Sequence, residues 1–176
     1  FVRVGPGNGD EHDKEVALCI RYAVDNGARV INMSFGKPFS HHNKWMIAAM
    51  KYAEKKGVLL VHAAGNDGMS LDVRDFYPNR YISKNKTLQN WIAVGSIDMD
   101  GYPASSSNYG KREVDLFAPG VNVYSTIYDK RFKYRAMSGT SMATPVVTGV
   151  IALISNYFPE LTAEEVKEAV LGGVTS

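Results

Sequence analysis

Cysteine is almost missing from this 176-residue chain: Cys19 stands alone. No internal disulfide can therefore staple the fold, and the redox compartment is left open. Apolar runs of membrane-spanning length are also missing, as is a signal peptide, so no membrane span is expected. Neither sign of charge dominates, since 20 Lys and Arg face 18 Asp and Glu for a net +2. That excess is too small to argue for nucleic acid or an anionic membrane as partner. No initiator methionine is present; the chain opens in mid-strand at Phe1-Val2-Arg3-Val4. This start sets the expectation of a processed or cut piece of a longer polypeptide. Histidine is sparse, and none follows His62.

What is present is ordinary globular material, 45% hydrophobic and 22% charged. One domain over residues 1–176 with a real core is expected. Phe1 to Val4 reads as a strand end, and Gly5-Pro6-Gly7-Asn8-Gly9 as a plain turn rather than a phosphate cradle. Asp10 to Asp13 put acid at a helix start, where the dipole favours it. Val16, Ile20, Ala23 and Val24 share one face of that helix, which Gly27 closes. Arg29 to Ser34 reads as a buried strand. A loop over 37–42 follows, then a helix capped by Asn43 with Trp45, Met46, Ala49, Met50 and Ala53 inward. Gly57 and the apolar run Val58 to Ala64 come next. Strand and helix alternating with tight glycine exits predict an α/β fold: a mostly parallel sheet with helices on both faces.

Gly65 to Asn90 is too long for a plain connection and is a candidate functional loop. Trp91 to Ile97 reads as a strand, Ser105 to Gly110 as surface loop, and Val114 to Phe117 and Val121 to Ile127 as strands about an Ala118-Pro119-Gly120 turn. Tyr128 to Arg135 has a basic, aromatic hairpin character. Leu161 to Leu171 closes the chain as a helix, with Thr162 and Glu165 spaced as a capping box.

The stretch with the most chemistry is Ser138-Gly139-Thr140-Ser141-Met142-Ala143-Thr144-Pro145. It feeds an apolar run, Val146 to Ile154, that reads as a helix buried nearly all round with Pro145 in its first turn. Ser141 then lies at a helix mouth, where unpaired N–H groups and the dipole favour developing negative charge. Gly139 would let a substrate backbone come close. Pattern alone leaves Ser141 open between nucleophile and cap. Asn66 leaves a buried strand through Gly65 at the sheet edge that binds ligands in open α/β folds; it is an oxyanion donor or a turn residue.

These motifs resemble those of the subtilisin-like serine proteases, the subtilases. Val30-Ile31-Asn32-Met33-Ser34-Phe35-Gly36, Ala63-Ala64-Gly65-Asn66, Ala118-Pro119-Gly120 and Gly139-Thr140-Ser141-Met142-Ala143 stand in the family's order. Its early aspartate strand and His-Gly-Thr-His motif are missing, so the resemblance implies the C-terminal part of a peptidase domain lacking its N-terminal strands. It further implies Ser141 as nucleophile of a serine endopeptidase and Asn66 as oxyanion donor. Ser34, Phe35 and Gly36 would pair with extended substrate, and Ala63, Ala64 and Gly65 would wall the pocket for the residue before the cut. Lys37 stands where many members carry a second glycine, and Asp67 would bias the pocket rim toward basic side chains.

The missing part is the base. His12, His41, His42 and His62 lack the family's context, and His62 reads as a core histidine. Aspartate and histidine are therefore expected upstream, as a partner segment of the same polypeptide. The isolated chain would be nearly inert and prone to self-association along an unpaired edge. No cofactor is required; structural calcium is allowed by the resemblance but has no assignable ligands. Secretion or the cell surface is implied by resemblance only. Three other readings remain: a non-catalytic peptide-binding or structural module on the same fold, an α/β-hydrolase elbow, which would need a histidine after the serine, and a nucleotide-binding α/β domain, which lacks a convincing phosphate loop.

Overall fold

A computed structural model describes residues 12–128 and 131–174; the readings for residues 1–11 lie outside these. Helix α1 (Asp13–Asp25) leads into strand β1 (Val30–Met33), helix α2 (Asn43–Lys55) and strand β2 (Leu59–Ala63). A short antiparallel pair, β3 (Tyr81–Ser83) and β4 (Lys86–Thr87), sits in the long connection to β5 (Trp91–Ile97). Strands β6 (Leu116–Pro119), β7 (Val123–Thr126) and β8 (Tyr134–Met137) follow, then helices α3 (Thr140–Tyr157) and α4 (Ala163–Gly172). The main sheet has the order β1-β2-β5-β6 with every pairing parallel. This is the expected α/β architecture.

Residue parity along the central strands splits the core in two. Leu60, Trp91 and Ala93 face α1 and α2, packing with Val16, Ile20, Met46 and Met50. Leu59, Val61, Ile92 and Val94 point the other way, onto Ala143, Val147 and Ile151 of α3 and Val166 of α4. A strand with both faces covered needs apolar residues at consecutive positions, which is why β2 and β5 lack polar alternation.

Several local expectations change. α3 is not buried all round: Val146, Val150 and Leu153 are 40%, 43% and 60% exposed. Pro145 is the sixth residue of α3, not a first-turn residue. Asn43 begins α2 and His42 is its N-cap, without a side-chain capping bond. Trp45 turns outward and stacks on His42 at 4.5 Å. Ala118 and Pro119 belong to β6 rather than to a turn. Asp13 stands at the start of α1, as the acidic run there implies, and is also buried. Its carboxylate binds Lys37 Nζ at 2.7 Å, the Ser40 hydroxyl at 2.9 Å and the His42 N–H at 2.7 Å. Burial alone would raise its pKa; these donors outweigh burial and lower it. The Thr162–Glu165 capping box is formed as the spacing predicts.

Candidate active site

Three segments meet at the carboxyl edge of the sheet. Ser34 to Gly36 leaves β1, Ala64 to Asn66 leaves β2, and Gly139 to Ser141 enters α3. They border a cavity of about 300 Å³ lined by Phe35, Gly36, Pro38, Ala63, Gly65, Asn66, Asp67, Phe76, Thr140 and Ser141. Open α/β sheets bind ligands at this edge. Ala64 is fully buried behind the lining.

Ser141 is the second residue of α3 and is half-buried. Its hydroxyl donates to the Ser34 carbonyl at 3.2 Å. In return the Ser34 hydroxyl donates to the Ser141 carbonyl at 3.0 Å. That carbonyl is free because its helical partner four residues on is Pro145, which has no N–H. Asn32 Nδ2 donates to the Ser34 hydroxyl at 2.9 Å and so directs the Ser34 proton onward.

Asn66 is exposed, and its Oδ1 accepts from Thr140 N at 2.8 Å and Thr140 Oγ1 at 3.1 Å. With Oδ1 committed to the helix start, the Nδ2 donors are what Asn66 offers outward. The Ser141 N–H is the next amide in the first turn, where helix geometry supplies no acceptor. Asn66 does not take the left-handed turn conformation; the flanking Gly65 and Gly68 do, at φ 100° and 61°. Gly139 has φ 145°, and a Cβ there would come within 3.2 Å of Asn66 Oδ1. Only glycine fits both that backbone and that approach.

Two bracing residues were not among the site residues read from the sequence. Thr140 is fully buried and its hydroxyl accepts from the Gly65 N–H at 3.2 Å, locking helix start to turn. Asn108, expected in surface loop, is fully buried. Its amide donates to Ala64 O at 2.9 Å, and its Oδ1 accepts from Asp67 N and Met69 N at 3.0 and 3.1 Å. Asp67 itself is exposed at the cavity mouth.

None of the four histidines lines this cavity. His12 is exposed and lies 3.6 Å from Glu15. His41 and His42 pack edge-on to Phe39 and flat on Trp45. His62 is 3% exposed among Phe35, Phe76 and Trp91, and burial lowers its pKa to about 3 while a bond to the Phe35 backbone opposes the shift. It is a neutral core histidine. Among the described residues no three His, Cys, Asp or Glu side chains converge, so no donor set for the calcium allowed by resemblance is assigned. No described helix is long and apolar enough to cross a membrane.

The subtilase family model matches residues 1–173. The chain belongs to the subtilase family. It is 43% identical over 155 residues to the thermophilic serine proteinase of Bacillus sp. (strain AK1), covering 88% of this chain and 35% of that protein. It is 37% identical over 168 residues to the major intracellular serine protease of Bacillus subtilis (strain 168), covering 94% and 49%. A solved cold-adapted subtilisin-like serine proteinase superposes with a TM-score of 0.78 at 33% identity, covering 94% of this subtilase chain and 56% of that one. The chain thus spans about a third to a half of these curated relatives.

Proposed function

We propose that this subtilase chain carries the nucleophile and oxyanion hole of a serine endopeptidase. The observation that supports it most is the convergence of Ser141 and Asn66 on one cavity beside the strand exit Ser34–Gly36. Ser141 Oγ attacks the peptide carbonyl carbon and its proton passes to a base. The tetrahedral oxyanion accepts from Asn66 Nδ2 and the Ser141 N–H. Collapse breaks the C–N bond, the amine leaves with the base's proton, and water then hydrolyses the acyl-enzyme. No histidine lines the cavity, so the base and its aspartate come from residues outside this sequence, upstream in the same polypeptide.

In this reading Ser34, Phe35 and Gly36 bind the substrate backbone as an added strand, and Ala63 and Gly65 wall the pocket before the cut with Ala64 buried behind them. The exposed Asp67 at the mouth favours a basic group there. Before the base is in place, the Ser141 hydroxyl rests on the Ser34 carbonyl. Compartment does not follow from family alone, since one relative is named as intracellular.

Fluorophosphonate labelling tests the proposal, on this chain and on the polypeptide extended upstream, each with a Ser141→Ala control. Labelling of the extended protein alone, lost in the alanine variant, is expected. Absence of labelling in both folded proteins would favour a peptide-binding module. Labelling of the short chain would place a base within it and overturn the split arrangement.

A further inference from the structure

His62 is the single polar side chain of β2, and it is 3% exposed. Its ring bonds to the Phe35 backbone, and that bond favours the protonated ring. The imidazole is therefore the donor and the Phe35 carbonyl the acceptor. Among the described residues Nε2 has no partner, so the donating nitrogen is Nδ1. With Nδ1 protonated in the neutral ring, Nε2 is a buried acceptor. Trp91, Phe76 and Phe35 surround the ring, at centroid distances of 4.9, 5.9 and 6.5 Å.

Nε2 is not enclosed by apolar packing alone. His62 borders a chamber of about 30 Å³ whose other walls include Trp91, Arg80, Tyr81 and Glu113. Arg80 brings a second buried atom without a partner among the described residues, its Nε–H donor. The Arg80 Nη2 group is engaged by Asp115, whereas Nε stands 4.0 Å from Glu113 Oε2, too far for a direct hydrogen bond. Tyr81 donates to the other Glu113 oxygen, Oε1. One polar chamber thus holds an acceptor lacking a donor, a donor lacking an acceptor, and a carboxylate. A buried water needs about 10–15 Å³ and two to four such partners.

We propose that an ordered water fills this chamber, accepting from Arg80 Nε–H and donating to His62 Nε2 and Glu113, and that the ring it orients positions the exit of β1 for substrate. Successive carbonyls of an extended chain point to opposite sides. The Ser34 carbonyl meets Ser141 on the cavity side, and the next one, of Phe35, turns inward to His62. Holding Phe35 fixes the sense in which Ser34 and Gly36 face the cavity. His62 is in this account a positioning residue, and that half of the inference rests on the peptidase reading of the site.

Nitrogen-15 NMR of the upstream-extended polypeptide, with its histidines labelled, tests the water. A protonated Nδ1, an unprotonated Nε2 and a cross-peak from the His62 ring to long-lived water are expected at neutral pH. A protonated Nε2, or a ring with no bound water, overturns the water site. Peptide-anilide kinetics on the same polypeptide test the positioning, with fluorophosphonate titration counting active sites. His62→Leu removes the donor to Phe35 and should raise KM for a tetrapeptide anilide about fivefold, the scale of one lost hydrogen bond, with kcat changed less. His62→Asn puts an amide donor where Nδ1 stood and should recover most of that loss. Equal KM in His62→Leu and wild type, or equal impairment in both variants, overturns the positioning role and leaves the peptidase reading standing. A wild type that takes up no fluorophosphonate overturns the peptidase reading and the positioning role with it, while the NMR result still decides the water site.

Discussion

Ser34 and Ser141 hold each other: each hydroxyl donates to the other residue's backbone carbonyl, at 3.0 and 3.2 Å. The pair joins the exit of β1 to the mouth of α3 across 107 positions of sequence. It exists because Pro145 withdraws the N–H that would otherwise claim the Ser141 carbonyl.

Ser34→Ala should therefore weaken the site without unmaking the fold. It leaves the part-buried Ser141 carbonyl without its hydroxyl donor, at a cost of about 1 kcal/mol. A lower thermal midpoint with a retained two-state transition is expected. An unchanged midpoint would mean that water replaces the hydroxyl at no cost.

In the proposed peptidase Asn66 combines two duties that different substitutions separate. Asn66→Ala removes the acceptor for Thr140 as well as the outward donors, so stability and turnover of the extended enzyme both fall. Asn66→Asp keeps the acceptor and loses the amide donor. It should hold the thermal midpoint near wild type at neutral pH while kcat drops about 10²–10³-fold, the loss known for such a donor in subtilisin itself, a member of this family. Equal kcat in Asn66→Asp and wild type would remove Asn66 from the oxyanion hole.

His62 makes stability depend on pH. Its folded pKa of about 3 lies below the ordinary 6.5, so the unfolded chain takes up the proton first. The stabilisation is complete above pH ~6.5 and is lost as pH falls toward 3, by at most ~1.4 kcal/mol per unit. Urea unfolding of wild type and His62→Phe at pH 7.5, 5.5 and 4.5 measures this. The wild type should lose stability more steeply; parallel slopes would contradict burial in the neutral form.

Asp13 anchors the loop that follows the cavity strand. Its lowered carboxyl contributes above the ordinary carboxylate range, and that contribution is lost as pH falls through the lowered pKa. Asp13→Asn should cost about 2 kcal/mol by weakening bonds to an ionised acceptor. Amide exchange at His42, whose N–H it holds, should accelerate selectively. Uniform exchange throughout the loop and helices would point to global loosening instead.

The outward face of α3 carries Val150, Leu153 and Tyr157, 43%, 60% and 74% exposed, and β1 ends the main sheet. The 176-residue chain should associate with rising concentration in size-exclusion runs, and Leu153→Lys should reduce that. A strictly monomeric wild type would show that this apolar face is tolerated in water.

The sheet was legible because glycine exits and consecutive apolar residues mark β2 and β5 without any distant information. Ser141 and Asn66 were legible as neighbours of strand and helix ends, which local sequence does encode. Asn108 and Thr140 were not. Their partners lie 39 to 75 residues away, and such distant pairings leave no periodic trace. Asp13 was read in part: its place at the start of α1 is local, whereas its contacts with Lys37, Ser40 and His42 are tertiary. The apolar run of α3 overstated its burial because composition cannot tell an inner face from an outer one.

α3 packs on β1, β2, β5 and β6, all of which precede it in the chain. Arg29, just before β1, reaches the Ser155 carbonyl at 2.6 Å near the far end of that helix, 126 positions later. Loop closures of this length make folding slow and strongly dependent on the last-made segment. On the ribosome the strands and first helices are complete while Ser141 is still unplaced. The order of synthesis thus withholds Ser141 until the rest of the described sheet is ready to receive it.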